Sequence, residues 1–130
     1  MARTLLLLLL SLAVLAELAL TGGAFFAPAF TLGQFGVQYG ANTVFLGYVL
    51  AWLLLFVTLA AALAALQVWQ RQPNYAALCY ALGFWWMGIG LGIYFAFGKP
   101  ENLILDTAKG FLLVFFTWRC QAGGMPVRRY

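Results

Sequence analysis

VFLGYVLAWLLLFVTLAAALAAL, residues 44–66, is a run of 23 residues without a charge. As an α-helix rising 1.5 Å per residue it would be about 35 Å long, more than the hydrocarbon thickness of a bilayer, which is about 30 Å. The run therefore predicts a helix that crosses a membrane.

The composition of the whole chain agrees with this prediction. Hydrophobic residues make up 65% of the 130 residues and charged residues 8%, whereas soluble domains carry about 25% charged residues. This balance excludes a soluble globular protein, and the length predicts a single domain over residues 1–130. The seven lysines and arginines are scattered, so no basic patch indicates a nucleic-acid partner.

Three further apolar stretches, residues 5–26, 75–97 and 103–118, are also predicted to span the membrane. The connections 67–74 and 98–102 are short and polar, as between antiparallel neighbours. We therefore predict an all-α, integral membrane four-helix bundle with up-down-up-down topology. For the first stretch, a cleaved secretory signal peptide is the alternative, but the apolar run is long for one.

Residues 28–43, between the first and second predicted spans, carry no charge but contain aromatic residues, glutamines, glycines and proline. Aromatic side chains favour the membrane boundary, and irregular backbone exposed to lipid would leave its amides without partners. We expect an aromatic-rich outer loop that lies on the membrane surface. A re-entrant segment lining a cavity is the alternative.

The basic residues predict the orientation. With four spans, one side of the membrane collects five of them and the other side two, and the richer side is normally cytoplasmic. Both termini are therefore expected in the cytoplasm, with residues 121–130 as a non-helical tail. The five are Arg3, Arg71, Arg119, Arg128 and Arg129, and the two are Lys99 and Lys109.

The residues needed for several kinds of cofactor, metal and catalytic site are missing from the sequence. The chain has no histidine, so haem with histidine ligation is excluded, and Cys79 and Cys120 alone make a poor metal site. On the cytoplasmic side both thiols should stay reduced. No catalytic triad, phosphate-binding glycine loop or convergent pair of carboxylates is present, so we expect no enzyme activity and identify no cofactor.

Three ionisable residues fall inside predicted spans, where charge is costly and usually functional. Glu17 and Lys109 each lie about seven residues, or ~10 Å, below the outer ends of their spans. We therefore predict an ion pair between the first and fourth spans, with Asp106 one turn from Lys109 on the same face. The pair would either fix the helix register or make Glu17 a carboxylate that exchanges a proton or cation.

Two patterns suggest contact surfaces. Gly88 and Gly92 have the small-xxx-small spacing that lets helices approach closely, either within the bundle or with a partner. Aromatic residues also recur at helical spacing, and such stripes either pack against neighbouring helices or line a site for a flat hydrophobic ligand. These residues are Tyr48, Trp52 and Phe56 in the second span and Trp85 and Trp86 in the third.

The chain resembles the DoxX-like group of small bacterial membrane proteins in the order of its motifs, which are Thr21-Gly22-Gly23, Phe26-Ala27-Pro28, Gln70-Arg71-Gln72-Pro73 and Gly98-Lys99-Pro100. The resemblance implies a four-helix bundle in the bacterial inner membrane. Members often carry an acidic residue in the last helix, where this chain has Lys109.

The function expected from these features is that of a non-catalytic accessory subunit in a larger membrane assembly, with the bilayer and another membrane protein, or a second copy, as partners. One alternative is a binding protein for a quinone, pigment or lipid. The other is a small proton-coupled transporter, since Val14-Leu15-Ala16-Glu17 is similar to the first-helix glutamate of small multidrug resistance transporters. A lysine at the same depth would oppose proton exchange there.

Overall fold

The computed structural model describes residues 1–98 and 100–124 of the chain, apart from the side chain of Asn102. Within this part all regular structure is helical and no strand is present. The helices, in chain order, are α1 (Ala2–Phe26), α2 (Pro28–Gly33), α3 (Val44–Trp69), α4 (Tyr75–Phe97) and α5 (Pro100–Ala122).

Three of these helices, α1, α3 and α4, are long and apolar enough to cross a membrane. The prediction of membrane-spanning helices is confirmed to this extent. α5 has the length, with 23 residues, but it contains Glu101, Asp106, Lys109 and Arg119 and is not among the three. Charge, rather than length, distinguishes α5 from the other long helices.

The long helices associate as two closely packed pairs, α1 with α3 and α4 with α5, and the pairs meet mainly through α1 and α5. Along α1 the buried residues recur every three or four positions, which places them on one face of the helix. The facing stripe of α3 contains many small residues, which allow the backbones to approach. Its buried residues are Gly47, Ala51, Val57, Thr58, Ala61, Ala64 and Val68.

The backbones of α4 and α5 approach each other closely at Gly83 of α4 and Gly110 of α5. A Cβ atom added at Gly83 would be 2.6 Å from Val114 Cγ2 and 3.0 Å from the carbonyl oxygen of Gly110. One added at Gly110 would meet the carbonyl oxygen of Gly83 and lie 2.8 Å from Met87 Cγ. Only glycine fits at either position without a shift of backbone or side chain.

The connection between α1 and α3 is more ordered than predicted. The expectation of an irregular loop over residues 28–43 was wrong for its first part, because Pro28 starts the short helix α2, where its fixed φ and missing N–H suit the first turn. Thr31 and Leu32 are buried. The ring of Phe35 lies 6.5 Å from that of Phe97, so the connection lies against the end of α4.

The predicted ends of the long helices also need correction. α1 and α5 begin three residues earlier than predicted, and α3 and α5 end three and four residues later. Polar residues such as Arg3 continue the helices because the backbone hydrogen bonds persist beyond the apolar core. The prediction of a non-helical tail over residues 121–130 was therefore wrong for Gln121 and Ala122, which belong to α5. Residues 125–130 of that tail lie outside the described residues.

Candidate functional site

The structure brings together the three ionisable side chains that were singled out in the predicted spans. Lys109 Nζ lies 2.9 Å from Glu17 Oε1, across α5 and α1, and 3.2 Å from Asp106 Oδ1 one turn away on α5. The Glu17 side chain is 5% exposed, and those of Lys109 and Asp106 are 18% and 22% exposed. One ammonium group therefore stands between two carboxylates.

Trp86 of α4 completes this group, which we call the charged cluster (Glu17, Trp86, Asp106 and Lys109). Its indole Nε1–H donates to Glu17 Oε1 at 3.0 Å, and Lys109 Nζ lies 4.4 Å from the centre of the ring. The Trp86 ring thus donates a hydrogen bond to Glu17 from its edge and makes a cation–π contact with Lys109 through its face. The sequence placed Trp86 in an aromatic stripe and missed this role, although an indole N–H in mid-span requires an acceptor.

The helix that carries Glu17 is tied to α3 by two threonines. Thr21 Oγ1 donates to the carbonyl oxygen of Glu17 at 2.7 Å and lies 3.1 Å from Thr58 Oγ1 of α3. Thr58 has a single hydroxyl proton, which it can give either to Thr21 Oγ1 or to the carbonyl oxygen of Leu54, 2.7 Å away. Sequence reasoning missed this threonine contact, which leaves α1 in polar contact with all three other long helices within about one turn.

The energetics of the charged cluster favour a structural role. Removing one partner of a buried ion pair typically costs about 3–5 kcal/mol, because the other charge is left uncompensated. Here the Lys109 ammonium of α5 and the Trp86 indole of α4 both donate to Oε1 of Glu17 on α1, so groups from three helices meet at one carboxylate. Any sliding or rotation of α1 relative to α4 and α5 would break these contacts.

The five aromatic residues singled out in the sequence differ in exposure, since four are exposed and one is buried. Tyr48, Trp52 and Phe56 of α3 are 62%, 63% and 70% exposed, and Trp85 is also exposed. These four side chains therefore lie largely on the outside of the bundle, although the ring of Trp52 also packs edge-on against that of Phe25 of α1 at 5.8 Å. Trp86 is 2% exposed and belongs to the charged cluster and not to the surface.

Gly88 and Gly92 are exposed on α4, and a Cβ atom added at either would meet nothing within 4 Å. The glycines that bring helices together within the chain are instead Gly83 and Gly110, and the sequence did not pair them. Gly88 and Gly92 belong to a longer row of small exposed residues, which we call the α4 small-residue face. Its members are Ala77, Ala81, Gly88, Gly92 and Ala96.

The cysteines are both free and buried, Cys79 in α4 and Cys120 in α5. Thr117, one turn before Cys120, donates to the carbonyl oxygen of Leu113. Within residues 1–98 and 100–124 no group of three His, Cys, Asp or Glu residues is placed to hold a metal ion.

Two cavities lie at the ends of the bundle. One, of about 430 Å³, is lined by residues at the start of α1, the end of α5 and the α3–α4 connection, including Arg3, Arg71 and Arg119. The other, of about 130 Å³, is lined by residues of α1, α3 and the connection between them. Neither cavity is lined by a member of the charged cluster.

Comparison with protein-family models, curated proteins and solved structures finds no match to this chain. The resemblance to the DoxX-like group therefore stays a prediction, and the function has to be argued from the charged cluster, the exposed faces and the cavities themselves.

Proposed function

We propose that this chain is a non-catalytic accessory subunit of a membrane assembly. It crosses the bilayer four times, with both termini in the cytoplasm, and binds another membrane protein through the α4 small-residue face. The membrane is the bacterial plasma membrane, as the DoxX-like resemblance implies.

The pairing of its charges supports α5 as the fourth span. A lone lysine or aspartate at the centre of a membrane helix is expensive, and such residues in membranes normally pair with each other inside the bundle. Lys109 and Asp106 do so, with Glu17 as the third member. Glu101 and Arg119 lie in the first and last turns of α5, where they reach the membrane boundary.

The common position of three arginines supports the topology. Arg3, Arg71 and Arg119 line one cavity, so the start of α1, the α3–α4 connection and the end of α5 lie at the same end of the molecule. Short connections rich in arginine favour the cytoplasmic side. This end is therefore assigned to the cytoplasm.

The observation that carries the proposed role is the open space at Gly88 and Gly92. Small residues in a row let a second helix approach the backbone, which is the main source of helix association where lipid removes the hydrophobic driving force. The chain uses this device internally at Gly83 and Gly110, yet nothing in the described residues fills the row on α4. Phe84 and Phe95 of the same helix are also exposed.

The two alternative functions have less support from the geometry. A hydrophobic ligand needs an enclosed volume, but Tyr48, Trp52 and Phe56 lie on the outer side of α3 and only Tyr48 lines a cavity, the small one. A transporter needs access from solution to its carboxylate. Glu17 is 4% exposed, lines neither cavity and already accepts two hydrogen bonds.

The test is purification in mild detergent from the native membrane, with mass spectrometry of the accompanying proteins. We expect a partner in constant ratio to the wild-type chain, and its loss in the Gly88→Leu/Gly92→Leu variant, since the larger side chains fill the row. Gly22→Leu on α1 is the matched control, because a Cβ atom there also meets nothing within 4 Å. This control should keep the partner.

Loss of the partner in both variants would point to a general packing defect and contradict the assignment of the α4 face. Retention in both would place the partner elsewhere. A wild-type chain that purifies alone, or with a coloured or lipid-like molecule in constant ratio, would contradict the accessory role.

A further inference from the structure

The cavity of about 430 Å³ is lined by three arginines, which suit it to a negatively charged ligand. We call it the arginine cavity. Arg3 comes from α1, Arg71 from the α3–α4 connection and Arg119 from the last turn of α5, and together they line about 430 Å³ with Met1, Cys120 and Ala122. Three arginines from three separate segments thus line one space.

No acidic side chain balances these charges. The sequence contains three acidic residues, of which Glu17 and Asp106 belong to the charged cluster and Glu101 lies in the first turn of α5, at the far end of the helix from Arg119. None of the three lines the arginine cavity. Among the described residues no acidic side chain lines the space beside these like charges, which repel each other, so this end of the molecule favours an anion.

Arg3 is held in place by the end of α3. Its Nε and Nη2 atoms donate to the carbonyl oxygens of Val68 and Trp69 at 3.2 and 2.8 Å. Both carbonyls belong to the last turn of α3, where no helical N–H follows to bond them, and that of Val68 also accepts from the N–H of Arg71. A guanidinium group has five N–H donors, so three remain for an anion.

Arg71 occupies a backbone position that normally belongs to glycine. After the C-cap Gln70, its φ is +56°, Gln72 N–H donates to the carbonyl oxygen of Gln67, and Arg71 N–H donates to that of Val68. This is a Schellman motif, in which glycine is the usual residue because a Cβ atom is unfavourable in the left-handed region. The strained backbone indicates that the arginine side chain serves a purpose other than stability.

The arginine cavity also lies at the depth of lipid headgroups. Trp69 and Trp118 are 68% and 53% exposed and stand within two residues of Arg71 and Arg119. Exposed tryptophans concentrate at the membrane–water boundary. A phosphate carried by a lipid therefore arrives at this level already oriented, whereas a free anion gains nothing from the surrounding aromatic residues.

We propose that the arginine cavity binds the phosphate group of an anionic phospholipid of the cytoplasmic leaflet, with Arg3, Arg71 and Arg119 as its donors. Guanidinium groups match phosphate oxygens with paired N–H bonds, and basic pockets between membrane helices on the cytoplasmic side bind anionic headgroups. The site rests on the four-span arrangement proposed above but not on the partner at the α4 face.

The experiment is native mass spectrometry of the full chain from bilayer discs containing equal amounts of phosphatidylglycerol and phosphatidylcholine with identical acyl chains. We expect retained phosphatidylglycerol to exceed phosphatidylcholine. Arg71→Gly and Arg119→Gln should each reduce this preference about fivefold, from roughly 1 kcal/mol per arginine at a membrane surface. The Lys99→Gln control removes one unit of charge from the α4–α5 connection and should leave the preference unchanged.

Arg71→Gly separates binding from folding, because glycine suits the positive φ and the variant should melt at the wild-type temperature or above it. An unchanged lipid preference in both arginine variants would overturn the site. So would an equal loss in Lys99→Gln, which would mean attraction by net charge alone. Displacement of phosphatidylglycerol by millimolar inorganic phosphate would assign the cavity to a free anion and also overturn the proposal, while the topology and partner tests would be unaffected.

Discussion

Lys109 on α5 contacts Glu17 on α1 at 2.9 Å, although 92 residues separate them in the chain. The contact closes the bundle, because it joins the last helix to the first, and the same glutamate oxygen receives the Trp86 indole from α4. Three of the four long helices are therefore held by bonds to one carboxylate. Four predictions on the fold follow from the charged cluster and from the helix contacts around it.

Breaking the ion pair should destabilise the protein, and the size of the loss should depend on which charge is left without a partner. Lys109→Met leaves two carboxylates without a cation and should cost about 3–5 kcal/mol of unfolding free energy in detergent. Glu17→Gln should cost less, about 1–3 kcal/mol, since Lys109 keeps Asp106 as a partner. Reversible unfolding monitored by circular dichroism measures both.

The double variant Glu17→Gln/Lys109→Met isolates the coupling between the two side chains. Its loss should be smaller than the sum of the single losses by at least about 1 kcal/mol, because the second change removes a charge that the first left unpaired. Additive losses would show that Glu17 and Lys109 do not stabilise each other and would contradict a stabilising ion pair.

The indole bond from Trp86 has a matched control in its neighbour. Trp86→Phe keeps an aromatic ring beside Lys109 but removes the N–H that donates to Glu17, and should cost about 1.5–3 kcal/mol, as for other bonds to charged groups. Trp85→Phe changes an exposed ring and should stay within about 0.5 kcal/mol. Equal effects on the melting temperature would mean that the indole N–H contributes nothing.

The crossing of α4 and α5 should be intolerant of a single methyl group. Gly83→Ala places a Cβ atom 2.6 Å from Val114 and should cost about 1–3 kcal/mol through overpacking. Gly92→Ala, on the same helix with open space, should be neutral or stabilising by up to about 1 kcal/mol, because alanine favours the helix. A Gly83→Ala variant that melts with the wild type would contradict this close approach.

The crossing of the membrane by α5 can be tested with a reporter that fluoresces only in the cytoplasm. Fused after Tyr130 it should fluoresce, because an even number of spans returns the chain to the side of Arg3. Fused after Gly98, with α5 deleted, it should be dark. The same signal from both fusions would show that α5 does not cross the bilayer, as its four charges alone would suggest.

The sequence predicted those features that depend on one helix at a time. The start of α3 and both ends of α4 agree with the apolar pattern, since the pattern records which residues avoid water. The start of α1, the end of α3 and both ends of α5 were predicted too short because helices continue past their apolar core. The fourth span and the orientation remain predictions.

The charged cluster was accessible to sequence reasoning because depth in a membrane can be counted from the helix ends. That count placed Glu17 and Lys109 at one level, and they lie in contact. The role of Trp86 and the approach of Gly83 to Gly110 depend on how helices rotate about their axes. The rotation of one helix relative to another cannot be obtained by counting residues along a single helix.

The measurement that tests the proposed function most directly is crosslinking in living cells from a photoreactive residue in place of Gly88, with Ala62 on the exposed side of α3 as the control position. We expect one product from position 88, with the summed mass of this chain and a different membrane protein, and no product from position 62. A product of twice the chain's own mass would show self-association instead. That result, or the absence of any product at position 88, would contradict the accessory role.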